Sequence, residues 1–360
     1  MNHLQKLHEI FNQSPWVDNL SRDLISSGKL QDYINKGVRG LTSNPTIMEH
    51  AITTSSAYDE QIKHLSAKNL STEQIYWQLV EDDIRAATKL LHPIWVESNG
   101  IDGYVSLEVS PELSNDAAAT LAQAKQLWKD LDAPNLMIKV PATDASVPAI
   151  HDLLASGINV NVTLVFSLEH YKQVASAHRA THTLGHVNNA RSIASFFISR
   201  VDNEIDARLE KIGTDKALGL RGKGAIAQAH LAYAIFLEKF GDVAVLEPDS
   251  SAIQRLLWAS TSTKNPAYDD LMYVSQLLAP HTINTLPEAT IEKIIDHLPD
   301  SARSLTLTDI VDAGHVVRHL REVGIDLDDV AQTLENEGVE KFKASFTSLL
   351  AAIDAKRTAI

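Results

Sequence analysis

Cysteine is absent from this 360-residue sequence. Disulfides, thiolate nucleophiles and cysteine metal sites are therefore excluded. The sequence also lacks any uninterrupted apolar run near the ~20 residues that span a bilayer. Residues 1–6 do not have the apolar character of a signal peptide. These absences predict a cytoplasmic protein that makes no use of a membrane.

Positive charge is also scarce, with 32 Lys and Arg against 46 Asp and Glu, which gives a net charge of −14. A nucleic-acid-binding domain usually carries a basic stripe, and none is present, so we expect no nucleic-acid partner. The 44% hydrophobic and 22% charged content is typical of a globular protein with a large core.

Eight apolar segments read as strands, and each is followed by a helical pattern. This alternation predicts a (β/α)8 TIM barrel with extra helices. An open doubly wound sheet is the alternative, but no glycine-rich fingerprint follows the first strand. We expect one domain over 1–360, with a helical insertion at about 201–250 and C-terminal helices at about 304–360. The predicted strands are 16–20, 38–41, 103–110, 135–142, 158–166, 193–200, 256–260 and 282–286.

Polar residues alternate with apolar ones along the third and fifth predicted strands. Successive side chains on a strand point to opposite faces, and in a parallel barrel the apolar face meets the helices. One face of the fifth strand carries Val160, Val162, Leu164 and Phe166, and the other carries Asn159, Asn161, Thr163 and Val165. Barrel interiors are usually filled by branched apolar residues. The inward set Glu108, Lys139, Asn161 and Thr163 therefore indicates a functional site.

Lys139 lies in the middle of an otherwise apolar strand. A neutral lysine amine can form an imine with a ketone; alternatively, the stem packs and the head reaches the strand end. Asp18 and Asn44 come from the ends of the first two strands, where barrel enzymes keep their chemistry. Their structural alternatives are a helix N-cap for Asp18 and an Asx turn for Asn44. For Glu108 the alternative is a buried ion pair with Lys139.

Several segments, taken together, resemble the transaldolase family, the Schiff-base sugar-phosphate transferases of the pentose phosphate pathway, and in particular its longer bacterial form. These segments are TSNPT at 42–46, IKVPAT at 138–143, INVNVTLVFS at 158–167, ASFFISRVD at 194–202, WAST at 258–261 and NTLP at 284–287.

The resemblance implies a role for each matching residue. Lys139 would form the imine with the donor ketose, and Asp18 would take the proton of the substrate hydroxyl as the carbon–carbon bond breaks. Glu108 would shuttle protons through a water held by Thr163. The substrate-binding set would be Asn44, Asn161, Ser195, Phe197, Arg200, Ser260 and Lys264. Lys264 stands near the position where shorter transaldolases carry an arginine.

The implied reaction converts sedoheptulose 7-phosphate and glyceraldehyde 3-phosphate into erythrose 4-phosphate and fructose 6-phosphate. No metal or other cofactor is expected, because the imine serves as the electron sink. The alternatives are an aldolase that cleaves fructose 6-phosphate and a non-catalytic barrel that binds sugar phosphates. A monomer or a homodimer is expected.

One further pattern could suggest a metal. His178, His182 and His186 are spaced four apart, which suits one face of a helix and could bind zinc. Gly185 interrupts the pattern and no carboxylate motif supports it. We interpret these histidines as a solvated helix face.

Overall fold

The computed structural model describes residues 1–143, 145–183, 189–247 and 249–359. Eight parallel strands follow one another around a closed barrel in chain order, which confirms the predicted (β/α)8 fold. The strands are β1 (Gln13–Asp18), β2 (Leu41–Thr42), β3 (Val105–Glu108), β4 (Leu136–Pro141), β5 (Val160–Val165), β6 (Ser192–Phe197), β7 (Gln254–Ala259) and β8 (Thr282–Leu286).

The helices surround this barrel. Those before β5 are α1 (His3–Glu9), α2 (Arg22–Ser26), α3 (Lys29–Lys36), α4 (Pro45–Thr54), α5 (Asp59–Ser66), α6 (Thr72–Glu97), a 3-10 turn (Pro111–Leu113), α7 (Ala117–Leu131) and α8 (Val147–Ala155). Those after β5 are α9 (Leu168–Thr183), α10 (Ser199–Ile212), α11 (Asp215–Leu218), α12 (Gly224–Leu246), α13 (Met272–Ser275), α14 (Glu288–His297), α15 (Leu307–Glu322) and α16 (Leu327–Ala359). Among the described helices, none is both long and apolar enough to cross a membrane.

Strand register aligns the polar residues of three neighbouring strands. Glu108 of β3 is the partner of Lys139 on β4, and Lys139 is the partner of Asn161 on β5. All three side chains are buried. Residues paired in this way share a face of the sheet, so the register itself brings a carboxylate, an amine and an amide together inside the barrel.

A bulge in β5 breaks the alternation predicted for that strand. Val162 pairs with Ala194, but Val165 pairs with Phe196, so three steps on β5 match two steps on β6. Leu164 takes up the extra residue with a φ of 58°. Val165 therefore returns to the face of Val162, and the prediction that it points inward with Thr163 is wrong. Bulges of this kind often re-aim side chains next to active sites.

The sixth strand ends earlier than predicted. β6 stops at Phe197, and Ser199 already begins α10. Arg200 therefore lies in the first turn of a helix rather than on the strand predicted over 193–200. A helical side chain near the carboxyl end of the barrel can lean over its mouth, which is where Arg200 is found.

The opposite end of the barrel is closed by a charged network. Asp102 is fully buried and pairs with Arg39 at 2.8 Å and with Arg255 at 3.0 Å. Ser14 donates a hydrogen bond to the same carboxylate at 2.8 Å. Burial alone would raise the pKa of Asp102, but the two guanidinium groups and the Ser14 hydroxyl outweigh it and lower the pKa to about 2. Asp102 is therefore a charged partner for two arginines in the bottom layer of the core.

Candidate active site

Lys139 lies inside the barrel between two oxygen atoms. Its Nζ donates a hydrogen bond to the carbonyl oxygen of Ser43 at 3.1 Å and lies 3.2 Å from Oε2 of Glu108. The side chain is about 6% exposed. The amine is therefore held in place by short contacts, and it also borders a cavity described below.

Glu108 contacts Lys139 directly. The resemblance had placed a water between them, whereas the carboxylate and the amine form a buried ion pair. Burial raises the pKa of Glu108, and the charge of Lys139 partly opposes that effect. Thr163 Oγ1 is buried and has no hydrogen-bond partner among the described residues. A raised pKa suits Glu108 to exchange a proton in the neutral range.

Asp18 is positioned by a chain of hydroxyl groups. Thr42 Oγ1 donates to Asp18 Oδ1 at 2.7 Å and lies 2.5 Å from Thr285 Oγ1. Asp18 is not the cap of the next helix, because Ser21 accepts the Leu24 N–H instead. Burial raises the pKa of Asp18; Lys139, Thr42 and Arg200 each oppose this. The result is a carboxylate that is more basic than an exposed aspartate.

Asn161 and Ser195 form a buried polar row. Ser195 Oγ donates to Asn161 Oδ1 at 2.7 Å, and Asn161 Nδ2 donates to Ser106 Oγ at 3.0 Å. This row fixes the orientation of the Asn161 amide. Ser195 faces the cavity, while Asn161 lies behind it and contacts a residue that does.

The cavity that contains the lysine, here called the chamber, has a volume of about 150 Å³. It brings together most of the residues proposed from the sequence, and Glu108 and Asn161 lie just behind its wall. The chamber is lined by Asp18, Thr42, Asn44, Lys139, Thr163, Ser195, Phe197, Arg200, Ala259, Ser260, Ser262, Lys264, Thr285, Pro287 and Phe342.

A second cavity, here called the outer groove, adjoins the chamber and has a volume of about 390 Å³. It shares Asp18, Asn44, Arg200 and Pro287 with the chamber. Its other lining residues are Asn19, Thr46, Ile47, His50, Glu288 and Lys341. The chamber alone is smaller than typical small-molecule sites of about 300–1,000 Å³, whereas chamber and groove together fall within that range.

Asn44, Ser260 and Lys264 lie around the mouth of the chamber. Asn44 caps α4, because its Oδ1 accepts the Ile47 N–H at 3.0 Å. This side-chain-to-backbone bond resembles the Asx turn that was the structural alternative for Asn44. The Ser260 hydroxyl lies 2.9 Å from that of Ser199. Lys264 is exposed and donates to Ser262 Oγ at 2.7 Å. The exposed ammonium group of Lys264 places a positive charge near the mouth of the chamber, which Arg200 also lines.

Sequence reasoning missed several residues of this site. Thr42 lies on the two-residue strand β2 and Thr285 lies on β8. A single threonine on such a strand gives no sequence pattern that would mark it as a site residue. Phe342 and Lys341 are on α16, far along the chain from every matched segment. Nothing local distinguishes them from other residues of a long amphipathic helix.

The interpretation of the histidine trio as a solvated face is wrong for His178. His178 is buried, its ring lies 6.0 Å from that of Phe240, and its Nε2 is 3.2 Å from the Ser251 carbonyl oxygen. Burial lowers the pKa of His178 to about 3. His182 is partly buried beside it, and His186 lies outside the described residues. Within the described ranges, no group of three or more acidic or histidine side chains is placed to hold a metal.

Comparison with known proteins agrees with this geometry. The family model described as transaldolase/fructose-6-phosphate aldolase matches residues 15–353. A transaldolase from Mycobacterium tuberculosis (strain ATCC 25618 / H37Rv) is 46% identical over 349 residues, covering 94% of this chain and 92% of the relative. A transaldolase from Mycolicibacterium paratuberculosis is 48% identical over 346 residues, with 94% and 92% covered. One from Mycobacterium ulcerans is 45% identical over 359 residues, with 96% and 95% covered.

Proposed function

Since the chain belongs to the transaldolase/fructose-6-phosphate aldolase family, we propose that it is a transaldolase that moves a dihydroxyacetone unit from a ketose phosphate to an aldose phosphate. The observation that carries this proposal is the position of Lys139, paired with Glu108 at 3.2 Å and bordering a chamber that Asp18 also lines. A nucleophilic amine with two separate carboxyl groups is what imine chemistry followed by carbon–carbon cleavage requires.

The first step joins the donor ketose to the enzyme. The Lys139 amine adds to the ketose carbonyl, and loss of one water leaves an iminium. Glu108, whose pKa is raised by burial, takes the proton that the paired Lys139 carries, so that the neutral amine can attack. That proton and the one that the nitrogen loses on addition both pass to the carbonyl oxygen, which leaves as water. Thr163, whose hydroxyl has no partner among the described residues, is suited to hold the water through which these protons pass.

The second step breaks the bond between the third and fourth carbons of the ketose. Asp18 takes the proton of the hydroxyl on the fourth carbon, that carbon becomes an aldehyde, and the bonding electron pair passes to the iminium nitrogen. The three-carbon fragment remains on Lys139 as an enamine. Burial favours this role, because it raises the pKa of Asp18 and makes the carboxylate a stronger base.

The last steps reverse this chemistry on a new substrate. The enamine attacks the carbonyl carbon of the acceptor aldehyde, and Asp18 returns its proton to the new hydroxyl. Addition of water to the iminium then releases the ketose and restores the amine. Atoms balance over the cycle, since the water lost on imine formation is regained on hydrolysis, and no external oxidant or reductant takes part.

Substrate contacts follow from the residues around the chamber. Asn44, Asn161 and Ser195 are suited to hold the hydroxyls of the dihydroxyacetone unit, with Phe197 shaping the wall. The guanidinium of Arg200 is suited to the phosphate, and Ser260 and Lys264 border the same region. Sedoheptulose 7-phosphate and fructose 6-phosphate are the expected donors. We infer a cytoplasmic enzyme with one domain over 1–360 and sugar phosphates as its partners.

Acceptor dependence tests the function against its closest alternative. A transaldolase incubated with fructose 6-phosphate and erythrose 4-phosphate should form sedoheptulose 7-phosphate and glyceraldehyde 3-phosphate, and should turn over little without the acceptor. Free dihydroxyacetone released at the same rate with or without acceptor would identify a fructose 6-phosphate aldolase instead. A barrel that binds the sugar phosphates but forms neither product would be non-catalytic.

A further inference from the structure

Arg200 is held in an unusual way for a guanidinium near carboxylates. Within the described part of the chain it makes no hydrogen bond or ion pair; instead its Cζ lies 5.1 Å from the Phe197 ring centre and 5.9 Å from the Phe342 ring centre. Burial lowers the pKa of Arg200, while Asp18, Glu108 and Glu337 raise it. Arginine has five N–H donors in a rigid fork. These donors therefore remain available to a ligand while the aromatic faces fix the plane of the group.

One of the two rings belongs to the C-terminal helix. Phe342 is buried, although helices α14 and α15 separate it in sequence from the last strand of the barrel. One turn earlier, Gly338 lets α16 approach closely: a Cβ there would lie 3.2 Å from Leu164 Cδ2 and 3.7 Å from Arg200 Nη1. The Ser345 and Thr46 hydroxyls, 2.9 Å apart, tie the same helix to α4. Helix α16 is therefore packed directly on the guanidinium.

The residue beside Phe342 adds a positive charge. Lys341 lines the outer groove together with Arg200 and His50. Among the described residues Lys341 has no ion-pair partner, so its charge is not already neutralised. Two acids line the groove. Asp18 lies on the side that is shared with the chamber. Glu288 is neutralised, because Lys29 pairs with it at 2.5 Å and Tyr33 donates to it at 3.1 Å. The wall formed by α4, α10 and α16 is therefore suited to an anion.

We propose that helix α16 supplies half of the phosphate site, with Phe342 holding the Arg200 guanidinium in place and Lys341 providing a second positive charge on the outer-groove side. This inference rests on the proposed function. The chamber of about 150 Å³ is suited to the reacting carbons, so the phosphate of a six- or seven-carbon ketose lies toward the groove that Arg200 also lines. A phosphate monoester carries a charge of about −1.5 to −2 near neutral pH, which two cations match better than one.

Phe342 is a positioning residue in this proposal, so its test must separate phosphate binding from the chemistry. Borohydride reduction of the substrate imine should inactivate the enzyme. The substrate concentration that gives half-maximal inactivation can then be measured for fructose 6-phosphate and for unphosphorylated dihydroxyacetone. F342L should raise that concentration about threefold to tenfold for fructose 6-phosphate, the range for losing a cation–π contact. The value for dihydroxyacetone should stay within twofold, and F342Y should behave as the wild type because it keeps the ring.

Lys341 is exposed, so its substitution does not threaten folding and gives an independent test. K341Q should also raise the fructose 6-phosphate concentration about threefold to tenfold at low salt, with a smaller difference at high salt, because exposed charges are screened. K341R should restore binding. Lys343, two residues later and paired with Glu340 at 3.1 Å, gives the matched control: K343Q should behave as the wild type.

The proposal is wrong if F342L acts equally on both substrates, which would mark Phe342 as a general packing residue. It is also wrong if F342L leaves fructose 6-phosphate unaffected, or if K341Q is indistinguishable from K343Q. These outcomes differ from a failure of the proposed function. If the imine chemistry failed, the wild-type enzyme would not be trapped by either substrate. If the enzyme were a fructose 6-phosphate aldolase, the wild type would be trapped but would release dihydroxyacetone without an acceptor. Neither result depends on the variants, which alone decide the role of α16.

Discussion

Thr42 Oγ1 lies between two groups of the candidate site, donating to Asp18 Oδ1 at 2.7 Å and lying 2.5 Å from Thr285 Oγ1. The hydroxyl of Thr42 is buried and stabilises the charged form of a carboxylate that burial destabilises. Two opposing effects therefore set the pKa of Asp18, and one of them can be removed by a single substitution.

T42V should move the acidic limb of the kcat/KM profile to higher pH. The hydrogen bond from Thr42 lowers the pKa of Asp18, so its loss raises that pKa, and the carboxylate needed as a base forms only at higher pH. The shift should be about one to two pH units, because a hydrogen bond to a charged group contributes about 1.5–3 kcal/mol. T285V keeps the Thr42–Asp18 bond and serves as the control. An acidic limb that is the same in T42V and T285V would contradict this account of Asp18.

E108Q should slow imine formation without abolishing it. The substitution keeps the Lys139 nucleophile but removes the group that exchanges its protons, and losing one acid–base group typically costs about 10²–10⁴-fold. The rate of borohydride-dependent inactivation by fructose 6-phosphate measures this step directly. E112Q, at an exposed position of the 3-10 turn after β3, is the control. Unchanged trapping in E108Q would reduce Glu108 to a structural partner of Lys139.

R200A should weaken binding of phosphorylated substrates more than the chemistry. The KM for fructose 6-phosphate should rise about tenfold to a hundredfold, since hydrogen bonds to charged groups contribute about 1.5–3 kcal/mol. Trapping with unphosphorylated dihydroxyacetone should be comparatively intact. K211A, at an exposed position further along α10, controls for changes in the helix. An equal loss with both substrates would identify a structural arginine.

D102N should destabilise the fold while sparing the activity of folded enzyme. Removing one partner of a buried charge network typically costs about 3–5 kcal/mol, and urea unfolding at neutral pH measures the loss against D312N at an exposed position. The folded-state pKa of Asp102 is lowered from 3.8 to about 2. Its contribution is therefore fully present above pH 3.8 and is lost as the pH falls toward 2. A D102N enzyme as stable as D312N would show that the network adds nothing.

The inward polar faces could be predicted from the sequence because they follow a local rule. Alternation on β3 and the single lysine on β4 depend only on neighbouring residues, and parallel register then brings Glu108, Lys139 and Asn161 side by side. The barrel itself follows from eight repeats of the same strand–helix pattern. Asp18 and Asn44 could be singled out by their positions at the ends of the first two strands, and the family resemblance then implied a role for each.

The features that were missed depend on tertiary structure. The bulge at Leu164 arises where β5 meets β6, and nothing in the alternation from Val160 to Phe166 announces it. The buried ion pair between Glu108 and Lys139 was one of two alternatives for Glu108, and the sequence could not decide between them because the choice depends on distances that register alone does not set. Phe342 reaches the chamber only because α16 folds back over the barrel, and a helical pattern does not state which neighbour its apolar face will meet.

The central claim is that Lys139 forms the imine, and trapping tests it most directly. Wild-type enzyme incubated with fructose 6-phosphate and borohydride should lose activity, and peptide mass mapping should find a three-carbon adduct on Lys139 alone. K139M removes the amine while keeping most of the volume; it should be inactive and should gain no adduct. An adduct on another lysine, or full activity in K139M, would contradict the account.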